Sequence, residues 1–308
     1  MLTSVYRGEE HLRSFFDELN AQTIFPELEL VLVLNEPSSK ETQFASHFAS
    51  QYPEAVQVLT VPRLETLGAS WNRAWRAARA PYLALWNVDD RRVVDSLQRQ
   101  LAALEQDLDA MLCYGDYVSV AGYGKEDGVR RQTPSYQVDH FRRSFAQGGA
   151  FWLFRHEVEA QIGNFDEQFR VGADMEYSFR MAAKGLVMIR CNGLLGFFTD
   201  AAQGLSTREG AKESAVEATA IQLRYGVFDK VRREYLDKAR MMRTDAIKNA
   251  DEWIPLVNFL PQHANYINAR KLLWVVGSVR NAVRGGLQKI GMLSLLHKLQ
   301  AKYLKRDV

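Results

Sequence analysis

The chain has 308 residues, of which 47% are hydrophobic and 25% charged, a composition typical of a globular protein with a substantial buried core. Cys113 and Cys191 are too few for a disulfide framework or a cysteine zinc site, and no stretch reaches the roughly 18 apolar residues of a membrane span. The net charge is +2, and the opening segment MLTSVYRGEE lacks the apolar core of a signal peptide, so we expect a protein of the reducing cytoplasm.

Strand-like and helix-like segments alternate over the first 120 residues. Short apolar runs bounded by turn residues indicate strands, and apolar residues three and four apart indicate helices. The predicted strands cover residues 2–6, 28–34, 56–61, 82–86 and 111–120, and the predicted helices cover 9–22, 39–51, 69–79 and 93–106. This alternation predicts a three-layer α/β/α fold with a mostly parallel central sheet and helices on both faces.

The character of the chain changes near residue 205. Ser206 and Glu209 fit a helix capping box, and helical patterns dominate from there to the end. Residues 1–205 contain 20 Lys and Arg against 27 Asp and Glu, whereas residues 206–308 contain 19 against 10. We therefore predict an acidic catalytic domain over 1–205 and a basic helical extension over 206–308.

Several common α/β enzyme classes lack their motifs here. No glycine lies between Gly8 and Gly68, so the glycine-rich dinucleotide loop is missing, and no Walker A sequence occurs. The six histidines are scattered without metal-ligand spacing, and Gly-x-Ser-x-Gly is absent. Dinucleotide enzymes, P-loop enzymes, histidine-ligated zinc enzymes and serine hydrolases are thus disfavoured.

The most informative segment is residues 80–92, where an apolar strand ends in Asn87, Asp89 and Asp90. Ligand sites in open α/β sheets lie beyond the carboxyl ends of the strands. Two adjacent carboxylates repel each other unless a cation lies between them or one is protonated, and Mg²⁺ favours such ligands together with substrate phosphates. The alternative is that the pair caps a helix beginning near Val93.

Three segments together resemble the family 2 glycosyltransferases of the GT-A fold. Asn87-Val-Asp-Asp90 is similar to the family's Asp-x-Asp-Asp element, and Gly68-Ala-Ser-Trp-Asn-Arg73 is similar to its Gly-x-x-x-x-Asn segment. The third segment runs from Gly163-Asn-Phe-Asp-Glu through Asp174 to Arg180 and Gly185. Asn87, Ala173 and Asn35 depart from the family pattern, which has acidic residues at these positions.

The resemblance implies transfer of a sugar from a nucleoside-diphosphate sugar to an acceptor hydroxyl, with inversion. It assigns Mg²⁺ or Mn²⁺ to Asp89 and Asp90, and the general base to Asp174. The implied nucleotide-binding residues are Tyr6, Asn35, Glu36, Asn72 and Asn87, and the implied acceptor-binding residues are Gly149, Trp152 and Glu176.

Several of these side chains also have a structural interpretation. Asn35 and Glu36 fit a turn, Asn72 can satisfy buried backbone, and Trp152 can be a core residue. Glu176 and Arg180, four residues apart, can form a helix ion pair.

The last 39 residues, 270–308, contain nine Lys or Arg and a single acid, Asp307, beside an apolar stripe at helical spacing. A basic amphipathic helix is typical of a membrane-surface element, and a lipid-linked or saccharide acceptor would suit this location at the inner face of a membrane. The alternative is packing on the catalytic domain or a second subunit. A nucleic-acid partner is not expected.

Two rival functions remain open from the sequence. A nucleotidyltransferase also uses carboxylate-held metal but needs a basic glycine-rich loop after the first strand, for which Arg7-Gly8 is a poor match. A non-catalytic nucleotide-binding or scaffolding protein of the same fold is compatible with Ala173, Asn87 and Asn35. The favoured hypothesis is a glycosyltransferase of cell-surface polysaccharide or glycolipid assembly.

Overall fold

The computed structural model describes residues 1–137, 150–200, 212–225 and 232–239, together with Val279 and Gly286. Its first part is a regular strand–helix alternation. The elements are β1 (Leu2–Val5), α1 (Glu9–Asn20), β2 (Leu30–Asn35), α2 (Ser39–Gln51), β3 (Val56–Val61) and α3 (Leu67–Ala77). These agree with the predicted order, with differences at the ends of elements.

Strands β1, β2 and β3 form a parallel sheet in which β2 is central. Leu2 pairs with Val31, and Leu30 pairs with Val56. All six residues of β2 are buried, as expected for a strand covered on both faces. One face packs in a core cluster with residues of α1 and α2, and α3 packs against the sheet as well.

A fourth strand, β4 (Tyr82–Ala84), extends this order next to β1. Leu2 and Leu85 form a parallel bridge, and the Trp86 N–H donates to the Leu2 carbonyl at 3.4 Å. The carboxyl ends of β1, β2 and β4 therefore lie at one edge, where the Asp89–Asp90 turn begins.

The second sheet is mixed. It has the order β4–β8–β6–β9–β5, and β7 pairs with β6. Its strands are β5 (Arg91–Arg92), β6 (Ala110–Val120), β7 (Gly128–Arg131), β8 (Leu153–Arg155) and β9 (Val187–Thr199). Pairing is parallel between β6 and β9 but antiparallel for β4–β8, β6–β8, β6–β7 and β5–β9. The expected parallel arrangement thus holds for β1 to β4 and for β6 with β9. The short connection from β6 to β7 permits only an antiparallel pair.

Helix α4 (Ser96–Gln106) begins later than expected. Strand β5 and a turn closed by the Ser96 N–H on the Val93 carbonyl at 3.0 Å occupy the residues before it. The residue preceding the helix is Asp95. The alternative that Asp89 and Asp90 cap this helix is therefore wrong.

Within the described ranges, further α-helices are α5 (Val158–Ile162), α6 (Ala173–Ala183), α7 (Lys212–Arg224) and α8 (Leu236–Ala239). Trp75 of α3 contacts the rings of Phe154, Phe165 and Tyr177, with centroids 4.9, 6.0 and 6.2 Å away. This aromatic cluster joins α3 and α6 to the sheet, while α1, α2 and α4 contribute to the other core cluster. The predicted three-layer α/β fold is confirmed.

Helix α7 lies in the same compact unit as residues 1–200, although the sequence places it in the extension. The proposed boundary at 205/206 stays a prediction, since residues 201–211 are outside the described part. The Ser206–Glu209 capping box and nearly all of 270–308 are outside it too. Among the described residues, no helix has the length and apolarity needed to cross a bilayer.

Candidate active site

The turns after β1 and β2 are held together by one buried carboxylate. Glu41 accepts the Gly8 N–H and the Ser38 N–H, each at 2.7 Å, and the Ser38 hydroxyl caps α2 in return. Both turns contain a non-glycine residue with positive φ, Arg7 at 52° and Glu36 at 53°. Such backbone is uncommon and is maintained only by surrounding contacts, which here include those of Glu41.

Three predicted nucleotide-binding residues lie in these turns or at the strand end that leads into them. Tyr6 is half-buried, with the Arg7 guanidinium 5.1 Å from its ring centre, and Glu36 is exposed. The Asn35 side chain exchanges two hydrogen bonds of 3.0 Å with the backbone of Glu65. Its amide thus fastens the segment after β3 to the end of β2, which is the turn role that the sequence also allowed.

Asn72 on α3 is fully buried and holds the segment after α5. Its amide nitrogen donates to the Phe165 carbonyl at 2.9 Å and to the Glu167 carboxylate at 2.8 Å, and its oxygen accepts the Phe165 N–H at 2.9 Å. Gly68 on the same helix allows Ala173 to approach, since an added Cβ would lie 3.3 Å from the Ala173 Cβ. The second and third family-like segments therefore pack directly against each other.

The Asp89–Asp90 turn follows β4 at the sheet edge. Asp90 is 3% exposed, and its Oδ1 accepts the Thr199 N–H of β9 at 2.9 Å. Its carbonyl accepts the Trp86 indole N–H at 2.9 Å. Asp89 is half-buried. Within the described ranges, neither carboxylate forms an ion pair.

Burial raises the pKa of Asp90 well above its ordinary value, and the charge of Asp89 raises it further. The Thr199 N–H, the Asn87 side chain and Arg92 act in the opposite direction. Burial also raises the pKa of Asp89. The pair therefore lacks sufficient positive charge around it, and a bound cation would relieve its repulsion.

The neighbouring groups fit a divalent metal ion. Asn87 Oδ1 is buried and has no hydrogen-bond partner among the described residues, and it lies next to the two carboxylates in the chain. These are all hard oxygen ligands. In the described part of the chain, no group of three or more His, Cys, Asp or Glu could hold a metal by itself. A site of this kind would depend on substrate phosphates for its remaining ligands, as magnesium sites commonly do.

Asp174 is the second residue of α6. Its Oδ1 accepts the N–H of Met175 at 2.7 Å. Burial raises its pKa to about 6, and the negative charge of Glu217 adds to the rise. A carboxylate with a pKa near neutrality is suited to accept a proton in catalysis.

Tyr117 of β6 is within electrostatic range of both acidic segments. Burial raises the pKa of its hydroxyl, and the charges of Asp174, Asp90 and Asp200 raise it further. Arg131, its cross-strand partner on β7, opposes them. The fold therefore brings Asp90 and Asp174, which are 84 positions apart in the sequence, within electrostatic range of one residue.

Glu176 has a different environment. It is fully buried, with Arg180 on one oxygen and Arg180, Arg224 and Tyr225 on the other. Burial opposes its ionisation, but Arg180 and Arg224 hold its pKa below the ordinary value. Arg224 also pairs with Asp166 at 2.8 Å. These contacts match the ion-pair interpretation of Glu176 and extend it to α7.

The other two predicted acceptor-binding residues are placed as follows. Trp152 is buried, and its indole N–H has no partner within the described ranges. Gly149 lies outside the described residues. Sequence reasoning missed Tyr117, Thr199, Glu217 and Arg224, because each acts through contacts between segments that are distant in the chain.

The sequence matches the family model described as "Glycosyltransferase like family 2" over residues 4–227, more than half of the chain. The chain belongs to the family 2-like glycosyltransferases. The matched region includes α7, which the family-like motifs alone did not reach.

Solved structures of similar fold include three glycosyltransferases. The S. aureus TarS 1–349 complex with UDP-GlcNAc is 15% identical with a TM-score of 0.56, covering 77% of this chain and 68% of that one. The mannosyltransferase PcManGT from Pyrobaculum calidifontis, with GDP-Man and Mn²⁺, is 13% identical with a TM-score of 0.53, covering 98% and 79%. GalNAc-T7 with UDP, GalNAc and Mn²⁺ is 13% identical with a TM-score of 0.58, covering 88% and 57%.

Two TarS structures are longer than the region that aligns with this chain. The chain covers 66% of the TarS 1–349 structure and 42% of another TarS structure, less than two thirds of each. At these identities the likeness describes the fold alone. No curated protein matches the sequence.

Proposed function

We propose that this family 2-like glycosyltransferase moves a sugar from a nucleoside-diphosphate sugar to an acceptor hydroxyl, with inversion. The observation that supports it most is that the charges of Asp90 and Asp174 both raise the pKa of Tyr117, so the fold brings both acids within electrostatic range of one residue. Asp90 lies at the strand ends where phosphates bind in α/β proteins, and Asp174 lies in the first turn of α6. The similar structures that contain UDP-GlcNAc and GDP-Man favour a nucleotide-sugar donor.

The reaction needs one proton acceptor and a stabilised leaving group. Asp174 takes the proton of the acceptor hydroxyl as that oxygen forms its bond to the anomeric carbon. The bond from the anomeric carbon to phosphate breaks, and the nucleoside diphosphate leaves with the electron pair. Attack from the side opposite the leaving group inverts the configuration.

Asp89 and Asp90, with Asn87 Oδ1 beside them, would hold Mg²⁺ or Mn²⁺. Such an ion supplies positive charge to the diphosphate as its negative charge increases. Tyr6 and Glu36 would contact the nucleotide from the turns after β1 and β2. Asn35 and Asn72 would act by holding those turns and the segment at 163–167, since their amides are bonded to backbone. Trp152 and Gly149 remain proposed for the acceptor side, with Glu176 supporting it.

The acceptor is proposed to be a saccharide or a lipid-linked sugar of surface polysaccharide or glycolipid assembly, at the inner face of the cytoplasmic membrane. The basis is the basic amphipathic pattern of 270–308 within the extension proposed for 206–308. Liposome co-sedimentation of the full chain and of a chain ending at 269 tests this. Equal sedimentation with anionic vesicles would exclude membrane contact through this segment.

The catalytic proposal is tested by release of nucleoside diphosphate from UDP-, GDP-, dTDP- and CDP-sugars, with water as a slow substitute acceptor. Asp174→Asn should lower the rate by about 10²–10⁴-fold while donor binding persists. Asp109→Asn, an exposed acid before β6, is the matched control and should be unchanged. Donor binding without release above the uncatalysed rate, in wild type and Asp174→Asn alike, would favour a non-catalytic nucleotide-binding protein.

A further inference from the structure

Helix α7 inserts a carboxylate beneath the loop that precedes α6. Glu217 Oε1 accepts the Arg170 N–H at 2.8 Å, and Oε2 accepts the Val171 and Gly172 N–H groups at 2.9 and 2.8 Å. Glu217 is 3% exposed. Three consecutive backbone N–H groups that converge on one anion form a fixed, directional contact.

This loop continues directly into the catalytic helix. Gly172 is the residue before α6, and Asp174 follows two positions later. A Cβ added at Gly172 would lie 3.3 Å from Ile221 Cδ1 and 3.5 Å from Glu217 Oε2, so the loop packs closely on α7. A shift of α7 would therefore move the start of α6 and the Asp174 carboxylate with it.

The neighbouring acid on α7 behaves differently. Glu213 lies one turn earlier and pairs with the Arg170 side chain at 3.0 Å, with 42% of its side chain exposed. Glu217 forms no ion pair with any described residue, and burial raises its pKa. Burying the charge of Glu217 near Asp174 opposes folding, so stability by itself does not account for this residue. Its place beside the start of α6 points to a role in positioning Asp174.

We propose that Glu217 is a positioning residue for the transfer reaction, holding the 170–172 loop so that Asp174 meets the acceptor hydroxyl. This inference rests on the proposed function. The loop fixes the direction of the Asp174 side chain, and the charge of Glu217 adds to the rise in its pKa. Both effects act on the chemical step rather than on donor binding.

The test compares Glu217→Gln with Glu213→Gln, measuring nucleoside diphosphate release against pH and donor concentration. Glutamine keeps the size of the side chain, but its NH₂ group replaces one oxygen that accepts backbone N–H groups of the 170–172 loop. The kcat of Glu217→Gln should fall about tenfold with the donor KM within twofold, because small displacements of a catalytic group slow the reaction strongly. The acid limb of its pH profile should move to lower pH, because a nearby negative charge is lost. Glu213→Gln should match wild type in both.

Gly172→Ala distinguishes the effect of the loop position from the effect of the Glu217 charge. It also replaces Glu217→Gln as the test if that variant does not fold. It displaces the loop against Ile221 but keeps the carboxylate, so kcat should fall without movement of the acid limb. If Asp174→Asn loses activity while Glu217→Gln and Gly172→Ala both behave as Glu213→Gln, the positioning role is wrong and the proposed function stands. If Asp174→Asn retains full release, the general-base role that the proposed function gives to Asp174 fails first, and the role of Glu217 fails with it.

Discussion

Two buried acidic regions in this protein differ in their counter-charges. Around Glu176, two arginines and a tyrosine satisfy the carboxylate, and its pKa is lowered. In the Asp89–Asp90 turn, no described cation pairs with either acid, and both pKa values are raised. A buried carboxylate that is paired with arginines stabilises the fold. A buried carboxylate without a paired cation destabilises it until a positively charged ligand binds. The same contrast separates Asp174 from Glu176, two residues apart on α6.

The largest expected effect comes from breaking the compensated region. Glu176→Gln removes the negative charge that pairs with Arg180 and Arg224, while both guanidinium groups stay buried. We therefore expect a loss of about 3–5 kcal/mol in the free energy of unfolding. Urea denaturation measures it. Glu9→Gln, which removes an exposed pair with Lys40, is the control and should change stability far less. Equal effects of the two changes would mean that burial does not distinguish these ion pairs.

The next effect concerns Asn35, whose amide donates one hydrogen bond to the Glu65 backbone and accepts one from it. Asn35→Ala removes two part-buried hydrogen bonds to the Glu65 N–H and carbonyl, and we expect a loss of about 1–3 kcal/mol in unfolding free energy. Thermal denaturation without nucleotide measures this loss. The dissociation constant for nucleotide should change little if Asn35 acts only through the turn. A normal stability with much weaker nucleotide binding would instead place the side chain on the base.

The third effect is pH dependence. Asp174 must be ionised to accept a proton, and burial raises its pKa to about 6. The rate of nucleoside diphosphate release should therefore fall about tenfold for each pH unit below that value, a cost of roughly 1.4 kcal/mol per unit. A buffer series from pH 4.5 to 8 on folded protein checks this. A rate that is flat across pH 5 to 7 would exclude Asp174 as the base.

The smallest effect has the opposite sign. Without metal, Asp90→Asn should stabilise the protein at pH 7 by about 1 kcal/mol, because it removes a buried charge that Asp89 repels. A raised pKa means that ionised Asp90 weakens the fold at higher pH, so the gain should shrink as the pH is lowered. Asp116→Asn, which removes the partner of Arg130 and Arg190, should destabilise instead. If both changes stabilise the protein, the difference between carboxylates with and without paired arginines has no effect on stability.

The sequence predicts the first half of this fold well because its signals are local. The apolar run of β2 and the Ser38–Glu41 capping box determine their elements without help from distant residues. Strand β5 has only two residues and depends on pairing with β9, so the start of α4 was predicted too early. The antiparallel β8 likewise has no local mark of its direction.

The candidate site follows the same rule: residues in short sequence motifs can be predicted, and residues that act through long-range contacts cannot. Resemblance to family motifs predicts Asp89, Asp90 and Asp174 as site residues, and the charges of Asp90 and Asp174 both act on Tyr117. The roles of Asn72 and Glu217 depend on bonds to Phe165 and to the 170–172 loop. No spacing pattern encodes such bonds, because their partners lie far away in the chain.

The most direct test of the central claim is nucleotide binding with and without Mn²⁺. The measurement is a thermal-shift panel of UDP, GDP, dTDP and CDP on wild type and Asp90→Asn. One nucleotide at about 100 times its dissociation constant should stabilise wild type by about 2.7 kcal/mol, only with Mn²⁺, and this gain should vanish in the variant. Equal stabilisation of both proteins, or stabilisation that ignores Mn²⁺, would contradict a metal–diphosphate site at Asp89 and Asp90.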